Sequence, residues 1–75
     1  MESIGKQIWK QRKASGMSQN DLREKMGLKS VNTIHNWEHD KVTPSIDVLN
    51  EMNEKFGWSF DVGFITKKNF ITKNK

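Results

Sequence analysis

Apolar residues recur every three or four positions in four stretches of the chain, which is the spacing of a buried helix face. A serine stands at the start of each stretch, where its hydroxyl can accept a hydrogen bond from the first backbone amides. Gly27 and Gly57 follow the second and fourth stretches, at the point where a helix commonly ends in a left-handed residue. The pattern predicts helices over residues 3–15, 19–26, 31–39 and 46–56.

The pattern changes after Gly57, where apolar and other residues alternate with the period of a strand. The apolar set is Trp58, Phe60, Val62 and Phe64. A lone strand leaves unpaired edges, so we predict that it pairs with its copy in a second chain across a two-fold axis. The weaker alternative is a hairpin onto residues 69–73, because the sequence Phe-Ile-Thr-Lys occurs at both 64–67 and 70–73. The link at Lys68-Asn69 lacks the glycine that tight hairpins prefer.

These elements define a mainly α fold: a four-helix domain followed by one C-terminal β-strand that pairs in a dimer. The expected divisions are a helical domain over residues 1–57, a dimerisation strand over 58–68 and a flexible basic tail over 69–75.

Composition excludes several classes of protein. The 75 residues contain no cysteine, so disulfides and thiolate metal sites are excluded, and two histidines alone make a poor metal site. No apolar run reaches the roughly 18 residues of a membrane span, and the first 16 residues lack a signal-peptide apolar stretch. We therefore expect a cytoplasmic protein without a cofactor, a metal or a membrane partner.

Charge and side-chain chemistry point to DNA. Thirteen Lys and Arg outnumber nine Asp and Glu, and the surplus lies at the two ends of the sequence. The second and third predicted helices are joined by a tight turn, and Ile34 and Trp37 give the third helix an inner face. Polar residues capable of hydrogen bonding, Asn32, His35 and Asn36, fall outside that face. A short helix presenting amides on a basic protein is a candidate for the major groove of DNA.

With these residues in place, the chain resembles the phage repressor and Cro-like helix-turn-helix family over residues 4–57. The resemblance rests on the order and spacing of Ile4-Gly5, Ile8, Arg12, Gly16-Met17-Ser18-Gln19, Leu22, Lys25-Met26-Gly27, Ile34, Trp37-Glu38, Pro44-Ser45 and Leu49. Members of this family are transcriptional regulators that bind palindromic operators as dimers. The resemblance therefore implies double-stranded DNA and a second copy of this chain as partners.

The resemblance also assigns residues to roles. It places Val31, Asn32 and Asn36 at base-reading positions, with Thr33 and His35 beside them. It places Gln19, Lys41 and Thr43 at phosphate-contacting positions, to which Lys29 in the turn is added. For Gln19, the amino end of the second helix gives a separate reason, since unpaired amides and the helix dipole attract phosphate there. Finally, it pairs Arg12 with Glu38 in an ion pair between the first and third helices.

The chain departs from the family pattern in three places. Lys29 lengthens the turn before the third helix by one residue, and Arg23 stands where a small residue is usual. The usual fifth helix is replaced by the predicted strand, an ending that resembles the antitoxin-type branch of the family. Proteins of that branch repress their own operon and bind a toxin, so an autoregulating antitoxin is an alternative function.

Two further alternatives come from other classes. The stretch from His35 to His39 fits H-x-x-E-H, an inverted zinc-protease pattern. Zinc requires a third protein ligand and a cleft, for which a chain without cysteine or a further histidine has few residues, so we expect no enzyme. An adaptor that uses the apolar residues of 58–64 to bind another protein, without binding an operator, is the other alternative.

Overall fold

Four helices occupy the positions that the apolar pattern predicts. The computed structural model describes residues 2–61 together with the backbone of residues 70 and 71. Its helices are α1 (Ile4–Ala14), α2 (Gln19–Met26), α3 (Val31–Glu38) and α4 (Ile46–Phe56). The expected mainly helical fold is confirmed.

Each helix begins at a serine whose hydroxyl accepts a backbone hydrogen bond, and these caps are Ser3, Ser18, Ser30 and Ser45. At Ser18 the arrangement is reciprocal, because the Asp21 carboxylate also accepts the Ser18 amide at 3.0 Å. This capping box satisfies two backbone amides that the helix itself leaves unpaired. Helix α2 ends at Gly27, whose φ of 71° is the left-handed conformation that glycine adopts without steric cost.

One apolar core joins all four helices to the segment that follows α4. Its fully buried side chains are Ile8, Leu22, Ile34, Leu49, Met52 and Phe60. Trp58 is also buried, and its carbonyl accepts a hydrogen bond from the buried Asn53 amide at 2.7 Å. Residues Trp58 and Phe60 therefore belong to the same core as the helices.

The strand after α4 finds a partner in its own chain. Strand β1 (Phe60–Asp61) pairs antiparallel with β2 (Phe70–Ile71), with Phe60 opposite Ile71 and Asp61 opposite Phe70. Helix α1 holds the same segment by side chains. The Gln7 amide donates to the Asp61 carbonyl and accepts the Asp61 amide, and Gln11 donates to the Ser59 carbonyl.

For these residues the structure has the hairpin arrangement that the sequence offers as the weaker alternative. Its physical basis is that Trp58 and Phe60 bury their side chains in the core of the same chain, while β2 and Gln7 satisfy the backbone of β1. The other two residues of the predicted dimer strand, Val62 and Phe64, lie outside the described residues. Pairing of this strand between two chains stays a prediction.

None of the helices in the described part of the chain is both long enough and apolar enough to span a bilayer.

Candidate nucleic-acid interface

Helix α3 has a buried side and an outward side. Ile34, Trp37 and Glu38 are buried against the other helices. Val31 and Asn32 at the start of α3 are exposed, and the other predicted base-reading residues, Thr33, His35 and Asn36, are half-buried. The structure thus brings all five predicted base-reading residues together on one short helix.

A buried ion pair fixes the position of α3. The Arg12 Nε donates to Glu38 Oε2 at 2.6 Å, and Nη2 donates to Glu38 Oε1 at 3.1 Å. The Arg12 and Glu38 side chains are only 8% and 2% exposed. Two parallel hydrogen bonds between a guanidinium and a carboxylate give geometric specificity as well as attraction. The pair that the family resemblance implies is therefore present as a link between α1 and α3.

The same carboxylate orients Gln19 at the amino end of α2. Gln19 Nε2 donates to Glu38 Oε1 at 3.0 Å, so Glu38 joins three helices through one side chain. Among the residues the structure describes, Gln19 makes no other side-chain hydrogen bond, which leaves its carbonyl oxygen and one N–H uncommitted. Gln19 is half-buried and enters the site in a defined conformation.

The amino end of α2 also carries a negative charge. The Ser18 backbone amide, the largest influence, holds the pKa of the Asp21 carboxyl below its ordinary value by donating a hydrogen bond to the ionised form. Because Ser18 and Asp21 use their own amides in the capping box, a phosphate at this end would meet the amides of Gln19 and Asn20 and the Gln19 side chain. The helix terminus alone is therefore a weaker anion site than the sequence suggests.

The loop after α3 is held against two helices. The Lys41 and Val42 amides donate to the Asn36 carbonyl at 2.9 and 3.4 Å. Asp40 adopts a left-handed φ of 58°, and its carboxylate accepts the Gly5 amide at 3.0 Å, near the start of α1. These contacts fix the loop that carries the exposed Lys41 and Thr43. The fourth predicted phosphate-contacting residue, Lys29, is exposed in the turn before α3.

The amide side chains on α3 are available to a ligand. Asn32 and Asn36 make no side-chain hydrogen bond within residues 2–61; the Asn32 backbone amide donates to the Ser30 hydroxyl that caps the helix. His35 and His39, the pair in the protease-like pattern, have ring centroids 4.1 Å apart. In the described part of the chain, no group of three His, Cys, Asp or Glu side chains is placed to hold a metal ion.

Sequence reasoning missed two residues that shape this surface. Asp40 anchors the loop through a contact 35 positions away in sequence, which no local pattern reveals. A Cβ at Gly5 would collide with the Trp37 carbonyl and lie 2.6 Å from Asp40 Oδ1, so α1 approaches the end of α3 more closely than any other residue would allow. The local signal for this contact was a glycine inside a predicted helix, where it is about 1 kcal/mol less favourable than alanine and therefore suggests a packing reason.

Comparison with known families agrees with this geometry. A family model described as helix-turn-helix matches residues 10–62, which include α2, the turn and α3. No match to a curated protein or to a solved structure reaches significance. Because the family model covers most of the sequence, the chain belongs to the phage repressor and Cro-like helix-turn-helix family of DNA-binding transcription regulators.

Proposed function

We propose that the protein is a repressor that binds a palindromic operator as a homodimer, with α3 in the major groove. The observation that carries this proposal is the outward side of α3, where the Asn32 and Asn36 side chains make no hydrogen bond within residues 2–61 while Ile34 and Trp37 are buried behind them. Side-chain carboxamides without an internal partner, on a helix of eight residues, suit a groove that displays hydrogen-bonding base edges.

Base reading would fall to side chains along the outward side of α3. The carboxamides of Asn32 and Asn36 can each make a bidentate contact with N6 and N7 of adenine. Val31, which is 38% exposed, can pack against a thymine methyl group. Thr33 and His35 lie beside these residues and can contact neighbouring bases.

Phosphate contacts would position the helix without reading sequence. Gln19 can donate its remaining N–H from a side chain already held by Glu38. Lys41 and Thr43 lie on the loop fixed by Asp40, and Lys29 lies in the turn before α3. These four residues flank α3 at both ends of its sequence, as contacts to the backbone on either side of a groove require.

The dimer follows from what one helix can read. A single eight-residue helix contacts too few base pairs to outcompete non-specific sites in a genome, whereas two half-sites add their discrimination. A two-fold symmetric dimer would place the half-sites about 34 Å apart, one turn of DNA.

Selection of bound sequences from a random duplex pool tests the proposal. We expect a palindrome with two half-sites, and a sedimentation coefficient of a dimer for the bound protein. Selection of no sequence would contradict DNA reading, and selection of a single unrepeated half-site would contradict the dimer.

Two variants then separate base reading from phosphate binding. Asn36→Ala should lose about 1–3 kcal/mol of discrimination at one base pair of each half-site while random-sequence binding is retained. Lys41→Ala should lower the affinity for operator and random duplexes alike. It should also reduce the slope of log affinity against log salt concentration by about one, the contribution of one phosphate contact. Asn50→Ala and Lys13→Ala, which change exposed residues of the same types on α4 and α1, are the matched controls. Equal losses on both duplexes for Asn36→Ala and Lys41→Ala would show that the assignment is wrong.

A further inference from the structure

Helices α1 and α2 end in the same way, and an arginine takes part at both ends. At the end of α1, the Met17 amide donates to the Arg12 carbonyl and the Gly16 amide to the Lys13 carbonyl. At the end of α2, the Leu28 amide donates to the Arg23 carbonyl and the Gly27 amide to the Glu24 carbonyl. Both ends are therefore Schellman motifs with an arginine in the last turn of the helix.

In each motif the arginine carbonyl accepts the amide of the residue after the glycine, and the arginine side chain donates to the carbonyl of that same residue. Arg12 Nη1 donates to the Met17 carbonyl at 2.8 Å, and Arg23 Nη1 donates to the Leu28 carbonyl at 3.0 Å. One arginine thus bonds both backbone groups of the residue after the helix-ending glycine. We call this arrangement the double contact. Its sequence signature, Arg-x-x-x-Gly followed by an apolar residue, occurs at 12–17 and again at 23–28.

The double contact at Arg23 lies in the turn of the helix-turn-helix. Leu28 is partly buried against the core, and only Lys29 separates it from Ser30, the residue that caps α3. Arg23 is itself held on α2, since its Nε donates to Asn20 Oδ1 at 2.7 Å and its side chain is 25% exposed. The guanidinium therefore links α2 to the turn through its hydrogen bond to the Leu28 carbonyl.

We infer that Arg23 is a positioning residue that sets where α3 begins and thereby which bases α3 reads, without contacting DNA. This inference rests on the proposed function. Because Leu28 is fixed at both its N–H and its C=O, Lys29 is the one residue whose backbone angles can vary before Ser30, the cap of α3. Without Arg23 the longer turn would keep only the backbone half of the double contact, and the first turn of α3, with Val31 and Asn32, would lose its defined position.

Arg23→Met tests the inference, because it removes the guanidinium but keeps an unbranched side chain of good helix propensity. We expect the ratio of operator affinity to random-duplex affinity to fall about tenfold or more, the equivalent of one charged hydrogen bond. The base preferences selected by the variant should flatten at the positions read by the first turn of α3. Lys25→Met is the control, since it removes one positive charge from the same helix and leaves the turn contacts intact.

A second measurement uses the free protein. Amide hydrogen exchange over residues 28–32 should be about tenfold faster in Arg23→Met than in the wild type or Lys25→Met, while exchange in α4 stays unchanged. If Arg23→Met does not fold, Arg23→Gln, whose amide is too short to reach the Leu28 carbonyl from α2, replaces it in both measurements.

Three results would overturn the inference. The first is a wild-type base preference in Arg23→Met. The second is an equal loss of operator and random binding together with faster exchange throughout the protein, which would make Arg23 a stabilising residue only. The third is unchanged exchange over residues 28–32. If the wild type itself selects no sequence, the proposed function fails, and the exchange measurement alone decides whether Arg23 holds the turn.

Discussion

Replacing Glu38 with glutamine should destabilise the protein more than any exposed charge change. The Glu38 carboxylate accepts three hydrogen bonds, two from Arg12 and one from Gln19, and its side chain is 2% exposed. Glutamine has a similar shape but presents an NH₂ group to donors and no longer neutralises the buried guanidinium. Removing one partner of a buried ion pair costs about 3–5 kcal/mol, because the other charge stays buried.

This loss is large compared with the whole stability of the domain. At about 0.05–0.15 kcal/mol per residue, 75 residues give a free energy of unfolding of about 4–11 kcal/mol. Glu38→Gln should therefore lower Tm by about 12 °C or more in a domain of this size. Urea and thermal unfolding followed by circular dichroism measure the change. Glu51→Gln, which breaks an exposed pair with Lys55 on α4, should change stability by less than about 0.5 kcal/mol.

The double variant Arg12→Met/Glu38→Met separates stability from positioning. Two apolar side chains of similar length leave no buried charge, so the double variant should lie within about 3 kcal/mol of the wild type, a margin that includes the lost bond from Arg12 Nη1 to the Met17 carbonyl. Gln19 nevertheless loses the carboxylate that orients it, so we expect operator binding to weaken although the fold recovers. If the double variant loses as much stability as the single variants Arg12→Met and Glu38→Met together, the reasoning that the uncompensated charge causes the loss is refuted.

Three further predictions follow from other contacts. Gly5→Ala should destabilise the protein by about 1–3 kcal/mol in urea unfolding, because its Cβ collides with the Trp37 carbonyl, a backbone atom that cannot move independently; wild-type stability would mean that α1 moves away at no cost. Phe60→Ala should cost about 3–5 kcal/mol at every protein concentration, since the side chain is fully buried within its own chain; a loss that varies with concentration would instead indicate burial by a second chain. Asp21→Asn should lower stability at pH 6 and have less effect towards pH 3. The folded pKa of Asp21 is lowered, chiefly by the Ser18 amide, so its contribution is present above the unfolded pKa and is lost as pH falls through the folded pKa. A wild-type advantage that stays constant across that range would contradict this.

Local signals in the sequence were sufficient to place the helices and the outward side of α3. The serine caps and the spacing of residues such as Leu22 and Met26 predicted the helices because both act within a few residues. The outward position of Asn32 and Asn36 followed from the same periodicity once Ile34 and Trp37 were placed inside.

Contacts between distant segments were beyond local signals. Nothing in the spacing of α1 shows that Gln7 bonds the backbone of Asp61, 54 residues later, or that Asp40 reaches Gly5. The position of Arg23 illustrates a different failure. A small residue is usual at this position, and the sequence alone does not show that the arginine side chain extends along α2 to the turn and donates to the Leu28 carbonyl.

The hairpin affects which surface of the protein could join two copies in a dimer. An edge strand invites a second chain because its N–H and C=O groups lack partners. In β1 fewer backbone groups lack partners, because β2 pairs with the strand and the Gln7 side chain hydrogen-bonds both the N–H and the C=O of Asp61. A second chain adding to β1 would have to displace β2 or break the Gln7 contacts, and would gain only equivalent hydrogen bonds in return. A two-fold dimer on DNA would therefore form at a lower free-energy cost if it left β1 paired in its own chain and joined the copies through another surface. Whether the stability loss in Phe60→Ala depends on protein concentration distinguishes these two arrangements.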